Sequence, residues 1–332
     1  MVATTNPRVA RSVRSLMALQ GAKGTPASDF TVADSESLWT ESKEHDHGRL
    51  RVEPGPWMTS DEGETVDSDA ELPRARGGRV FAQLTPKNVE LLLRNSWGPL
   101  AAGAFTLDSQ VNEHASFAWV EDRFLAASPA QRLVRIYDAW TRRLEIAVDS
   151  IGKSMISGMF AGERRDFFEL DAVGGLTLPA APMTPGDRNV FAGRSASLVL
   201  DPTGLNVPLP FDTLLLSLDQ QMLEGEDGYW DMMRMASGVF KQGKPIVQLQ
   251  VSALLGDQWW DVIDDLESEV RNHFRLTLTA PSPAKTFTVD LYEVAMVVEP
   301  LRYDGQTGRP MFTGTGRAYD DKSGNFVDLT LT

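Results

Sequence analysis

The chain of 332 residues contains no cysteine. That excludes disulfides, thiolate nucleophiles and cysteine-ligated metals, so stability has to come from packed cores and interfaces. Histidine is nearly as scarce: His45, His47, His114 and His273 are the four in the chain. Along a strand His45 and His47 would share a face, but without a third ligand nearby, and His45-Asp46-His47 is expected to be a polar surface segment instead of a metal site. Long apolar runs are missing too. Nothing approaches the roughly 20 residues that cross a bilayer as a helix. Positive charge is the minority sign, with 32 Lys and Arg against 46 Asp and Glu for a net charge of -14. Neutralising phosphates takes clustered Lys and Arg, so this balance disfavours a protein that grips nucleic acid. It suits a solvated acidic surface, or one that repels DNA.

Catalytic signatures are equally thin. No Gly-x-Gly-x-x-Gly, Walker loop or Gly-x-Ser-x-Gly elbow is present. Gly152-Lys153-Ser154 resembles the end of a phosphate loop, but Ala147 stands where the upstream glycine is required. The acidic run from Asp61 to Glu71 contains Asp67-Ser68-Asp69, without the glycine and closing glutamate of a calcium loop. No pair of carboxylates is singled out for glycoside hydrolysis. The expectation is a non-enzyme, with no catalytic, cofactor-binding or metal-binding residue assigned and no cofactor.

What is present is alternation. Leu144, Ile146 and Val148 alternate with Arg143, Glu145 and Ala147, and Leu214, Leu216 and Leu218 with Leu215, Ser217 and Asp219. Period two marks strands with one buried face. In the first half, strands are expected near 48–53, 79–84, 115–120, 132–140, 143–149 and 154–162. The second half has them near 195–200, 213–219, 245–254, 274–279, 285–293, 295–300, 310–319 and 325–331. Two helices interrupt them. One is capped by Thr85, has Pro86 in its first turn, a stripe of Val89, Leu92, Leu93 and Trp97, and Gly98 as its stop. The other opens at Asp257, with Trp259, Ile263, Leu266 and Val270 inward and Asp261, Asp264, Asp265 and Glu267 outward. At the N-terminus Val9, Val13, Leu16 and Met17 could line one side of a short helix, in an arm that orders on a neighbour.

The order of elements repeats: a strand, a long connection, a strand, one helix, then four or more strands. Gly, Pro, Ala and Asp between 171 and 189 mark the boundary. The expected organisation is an arm (1–24), a first module (25–170), a linker (171–190) and a second module (191–332), arising by internal duplication. Each module has one long connection. Pro54–Gly78 carries Trp57, Met58, Asp61, Glu62 and Glu64. Gln220–Lys244 carries Tyr229, Trp230, Met232, Met233, Met235 and Phe240. Loops of this length are usually functional, and exposed Met and aromatic residues suit a protein interface, so these are the candidate contact residues. A short helix packed on its own module is the competing reading of 229–240.

These features resemble the tail tube (major tail) proteins of long-tailed, siphovirus-type bacteriophages, in the larger form with two tandem modules. The resemblance is carried by the Gly21-Ala-Lys-Gly-Thr-Pro-Ala27 segment, the Leu84 to Gly98 helix segment, Tyr137 to Gly162 and the closing Phe312-Thr-Gly-Thr-Gly-Arg-Ala318 strand. It covers nearly the whole chain as a pattern, with no single diagnostic motif. It implies a mainly β fold of two β-sandwich or barrel modules, each flanked by one helix. It also implies self-assembly: six modules around a channel, as a homotrimer of pseudo-sixfold symmetry or as a hexamer. Rings would stack through the long connections into a hollow tube that conducts double-stranded DNA without binding it, with acidic residues facing the channel repelling it. The tape-measure, distal tail and terminator proteins would be further partners, and the location the virion, assembled in the bacterial cytoplasm. A distal tail ring, tube terminator or capsid decoration protein, a carbohydrate-binding β-sandwich or glycosidase, and the tube of a contractile injection system are the alternatives.

Overall fold

The computed structural model of the chain describes residues 11–31, 35–38, 40–46, 51–54, 69–72, 76–107, 113–125, 128–152, 154–169, 176–178, 189–201, 203–220, 222–223, 240–241, 245–267, 271–281, 284–300, 302–305, 308–321 and 326–332. It is mainly β, a large antiparallel network with two helices. The first half runs β1 (Arg11–Leu19), β2 (Ser35–Leu38), β3 (Thr40–Asp46), β4 (Arg51–Pro54), β5 (Asp69–Leu72), β6 (Arg76–Gln83), α1 (Pro86–Ser96), β7 (Leu100–Ala101), β8 (Ala104–Phe105), β9 (Ala115–Leu125), β10 (Ser128–Asp149) and β11 (Met155–Glu169). The second half runs β12 (Ala196–Leu200), β13 (Val207–Leu209), β14 (Thr213–Asp219), β15 (Met222–Leu223), β16 (Phe240–Lys241), β17 (Ile246–Leu254), α2 (Asp257–Glu267), β18 (Asn272–Pro281), β19 (Ala284–Val298), β20 (Arg302–Tyr303), β21 (Pro310–Arg317) and β22 (Val327–Leu331).

Local chemistry explains the elements. In β10 and β14 the leucine, isoleucine and valine positions named above are buried, and their alternates turn to the other face. The Thr85 hydroxyl accepts from the Asn88 N–H at 3.1 Å, and Pro86 opens α1. Trp97 N and Gly98 N both donate to the Leu93 carbonyl and close it. Val89, Leu92, Leu93 and Trp97 are all buried. In α2, Trp259 is buried, stacks on Phe312 at 4.2 Å and donates its indole N–H to the Pro210 carbonyl. Val262 is buried as well and Ile263 half-buried, which widens the stripe expected from Trp259, Ile263, Leu266 and Val270; Val270 lies outside the described residues.

Three expectations are corrected. Arg11–Leu19 is a strand, not one side of a helix: β2 and β9 pair with it on its two edges, and these ladders outweigh a weak helical spacing. The strands expected at 132–140 and 143–149 are one element, β10, and those at 285–293 and 295–300 merge into β19. The two long connections begin and end as hairpins outside the main network, β4 with β5 and β15 with β16.

Pairing in the first half follows the order β2, β1, β9, β10, β11, β6, β3. In the second half it follows β13, β12, β18, β19, β21, β17, β14. The two runs join where β14 pairs with the last part of β10, Arg143–Asp149. A further run, β19 to β22 to β8 to β7, ties the C-terminal strand back to the hairpin after α1. The network has barrel character, but the described ladders, followed pair by pair, do not return to their start. One hydrophobic cluster runs through both halves, from Met17 to Leu331, where two separate cores were expected. A smaller one around Phe30 and Leu133 is covered by Leu176 and Leu178.

The bend in β10 matters most. Its first part pairs with β9 through Ile136 and its last part with β14 from Arg143. Between them Asp138 has φ +52°, and the ladder to β11 slips between Thr141 and Arg143. The backbone groups freed by the bend are satisfied by side chains. Asn95 of α1 donates to the carbonyls of Ala139 and Glu113 and accepts from Thr141 N and Oγ1. Buried Asp138 accepts from Gln20 Nε2 and Gly24 N, which fixes the Gly21-Ala-Lys-Gly24 segment against the bend. Replacing Asn95 by Ala orphans buried backbone groups and is expected to lower unfolding stability by about 1–3 kcal/mol, read by urea titration.

His114 stacks on Trp140, with ring centroids 4.6 Å apart. Burial lowers its pKa below the usual value; Asp138 pulls it up and Lys23 pushes it down, both more weakly. A folded pKa below the unfolded one means that the stability is fully present above the unfolded value, about 6.5. It is lost as pH falls from there through the lowered folded pKa. His114→Gln should therefore flatten the dependence of thermal stability on pH on the acid side of neutrality. An unchanged slope would assign the acid sensitivity to other groups.

Candidate functional site: the open ends of the long sheet

Eight strands form one continuous run: β3, β6, β11, β10, β14, β17, β21 and β19. Its middle is the β10–β14 junction, in which Arg143 stands opposite Asp219 and Asp149 opposite Thr213. Its two ends are unpaired among the described residues. β3 is laddered on one side only, to β6, and the Ala295–Val298 part of β19 on one side only, to β21.

Alternation fixes which groups of β19 face outward. Glu299 N donates to the Thr313 carbonyl, so Glu299, Val297 and Ala295 direct their backbone groups towards β21. Met296, Val298 and Pro300 direct theirs to the open edge, where Pro300 has no N–H to give. On the β10 side of the junction the Arg142 carbonyl accepts from Gln220 N, so the corresponding backbone groups there are paired. Natural edges are normally blunted. This one carries an exposed Val297 (71 % accessible) and, just beyond, an exposed Tyr303 (71 %).

The face of this sheet turned away from the core mixes polar groups of both signs with half-buried Phe81, Met155, Met159 and Leu215. Gln248, Gln250, Thr315 and Ser217 carpet it. Arg79, Arg143 and Arg317 stand there with Glu145 and Asp219, and Asp149 and Glu299 at one end. Arg79 and Arg143 both bridge to Glu145, at 2.6 and 2.9 Å. Two of its arginines thus share one acid, with Arg79 of β6 reaching Glu145 across β11 and Arg143 reaching it along β10.

Of the contact residues expected from sequence, Trp57, Met58, Asp61, Glu62, Glu64, Tyr229, Trp230, Met232, Met233 and Met235 lie outside the described residues. Phe240 is in β16, its backbone paired with Leu223. Sequence reading missed the open edge at Val297–Pro300 and the exposed Ile151 (95 %) and Leu205 (83 %) at turn tips. Asp149 Oδ1 accepts from Ile151 N and Gly152 N, and Asp201 Oδ2 from Leu205 N, so both turns are locally capped. An Asp two to four residues before a lone apolar residue in a Gly-containing turn was the available signal.

Among the described residues no group of three or more His, Asp or Glu is arranged to hold a metal ion, and no helix is long and apolar enough to cross a membrane. Comparison of the chain with known protein families and with characterised proteins finds no match. The ion-pair network offers a local check. A double-mutant cycle on Arg79 and Glu145 should give a coupling of about 0.5–1 kcal/mol that shrinks in high salt. A coupling of zero would remove the pair from the account of this face.

Proposed function

We propose that the chain is a self-assembling structural protein, two tandem β modules with one flanking helix each, whose copies close into rings and stack as the tail tube of a long-tailed phage. The single observation that carries this reading is the repeated pairing order with its internal junction. The last part of β10 pairs with β14, and those strands hold the same places in their halves as β19 and β3. The chain thus contains one copy of the contact that its own two ends would make with further copies. A head-to-tail contact of this kind closes into a ring if the rotation allows. Two modules per chain favour a trimer of pseudo-sixfold symmetry. Pro300 withdraws one donor, so the intermolecular ladder would be shorter than the one at the β10–β14 junction.

The mixed polar face suits a channel that conducts DNA. With Arg79 and Arg143 tied to Glu145, that part of the wall offers phosphates a weakened field. Sliding then rests on the absence of binding more than on repulsion. Tape-measure, distal tail and terminator proteins are the expected further partners, and the virion the expected location.

Electron microscopy across a concentration series tests this. Rings or hollow tubes are expected, and rotational averaging would distinguish three chains from six. Capped single rings would instead favour a terminator or distal tail role, and a monomer at every concentration would sink self-assembly altogether. Val298→Pro removes an outward N–H from the open edge, at a register position like that of Pro300. It should melt within a few degrees of the wild type yet stay monomeric. Ring formation by this variant would exclude the β19 edge as the closing contact.

A further inference from the structure

The long sheet has two distinct ends. Arg143, Asp219 and Ile246 stand in register at one, and Asp149, Thr213 and Ser252 at the other. Both hairpin connections leave from the first end: β4 follows β3, β15 follows β14, and β16 returns to Ile246 of β17. At the second end lies an open groove of about 560 Å³, within the range of ligand pockets. Ser150, Arg194, Ser197, Leu209, Pro210 and Phe211 contribute to its lining. Exposed Ile151 stands next to it in the chain, and so is the start of α2, with half-exposed Trp260. Gly193 holds the groove's wall tightly to the β10–β11 turn: a Cβ there would lie 1.7 Å from the Asp149 carbonyl oxygen.

We infer that this groove receives residues 224–239 of a second copy stacked along the tube axis, an assignment that rests on the assembly reading above. A copy translated along the strand direction brings its first end onto this second end. The segment is long enough to reach about 25 Å out and back. It carries Tyr229, Trp230, Met232, Met233 and Met235, which suit the apolar floor of Leu209, Pro210 and Phe211. Its acids Glu224, Glu226, Asp227 and Asp231 complement exposed Arg194. The other connection, 55–68, has only Trp57, Met58 and Val66 as large apolar residues. Ser197 is an exposed groove residue whose replacement removes no core packing.

Two experiments on the full chain test the docking. Ser197→Trp fills the groove: rings of wild-type diameter should persist while tube length falls at least tenfold. A chain without native cysteine also permits a clean cross-link. Oxidised tubes of the Ser197→Cys/Met233→Cys variant should give a ladder of linked chains on denaturing gels, and those of Ser197→Cys/Met58→Cys should not. Full-length tubes from Ser197→Trp, no ladder from the Met233 pair, or a ladder from the Met58 pair alone would overturn the groove while leaving ring assembly standing. A wild-type chain that never forms rings would overturn both.

Discussion

The bend in β10 is the constraint on which the rest of the structure depends. A strand of this length cannot serve two sheets unless it changes direction, and changing direction frees backbone groups from the ladder. In water such groups are harmless, but buried they cost more than a typical hydrogen bond returns. Asn95 and Gln20 meet that cost from opposite sides: Asn95 of α1 pairs Ala139 O and Thr141 N, and Gln20 Oε1 accepts from Asp138 N. With the bend satisfied, the first part of β10 belongs to the β9 sheet and the last part is delivered to β14.

Everything functional in the proposed reading follows from that delivery. β10 in the first half and β19 in the second both carry a non-glycine residue at positive φ, Asp138 and Glu293, where one pairing set gives way to another. The bent strand therefore has a neighbour in one case and an open edge in the other. The same geometry that joins the halves leaves β3 and the last part of β19 each laddered on one side only among the described residues.

Much of this was legible beforehand. Thr85, Pro86 and Gly98 bound α1 because capping is local chemistry, readable within a few residues. The buried alternation in β10 and β14 was legible because the pleat has a fixed period. The N-terminal strand was not, since Arg11–Leu19 owes its form to β2 and β9, whose partnership no local spacing records. The Val297 edge was hidden for the same reason: exposure there reflects a missing neighbour, not a property of the residue.

The sequence by itself determined the class of the fold, the two helices and the caps of α1, the reliance on packing without disulfides, and the repeated order of elements. Each depends on side chains within one turn or one pleat, or on composition. Only the tertiary structure decided that β10 and β19 each run unbroken through their bends, that β14 lies against β10, and that Glu145 stands among arginines. Those are matters of register, and backbone hydrogen bonds carry no sequence label. A strand shifted by two residues keeps its buried face and changes every partner.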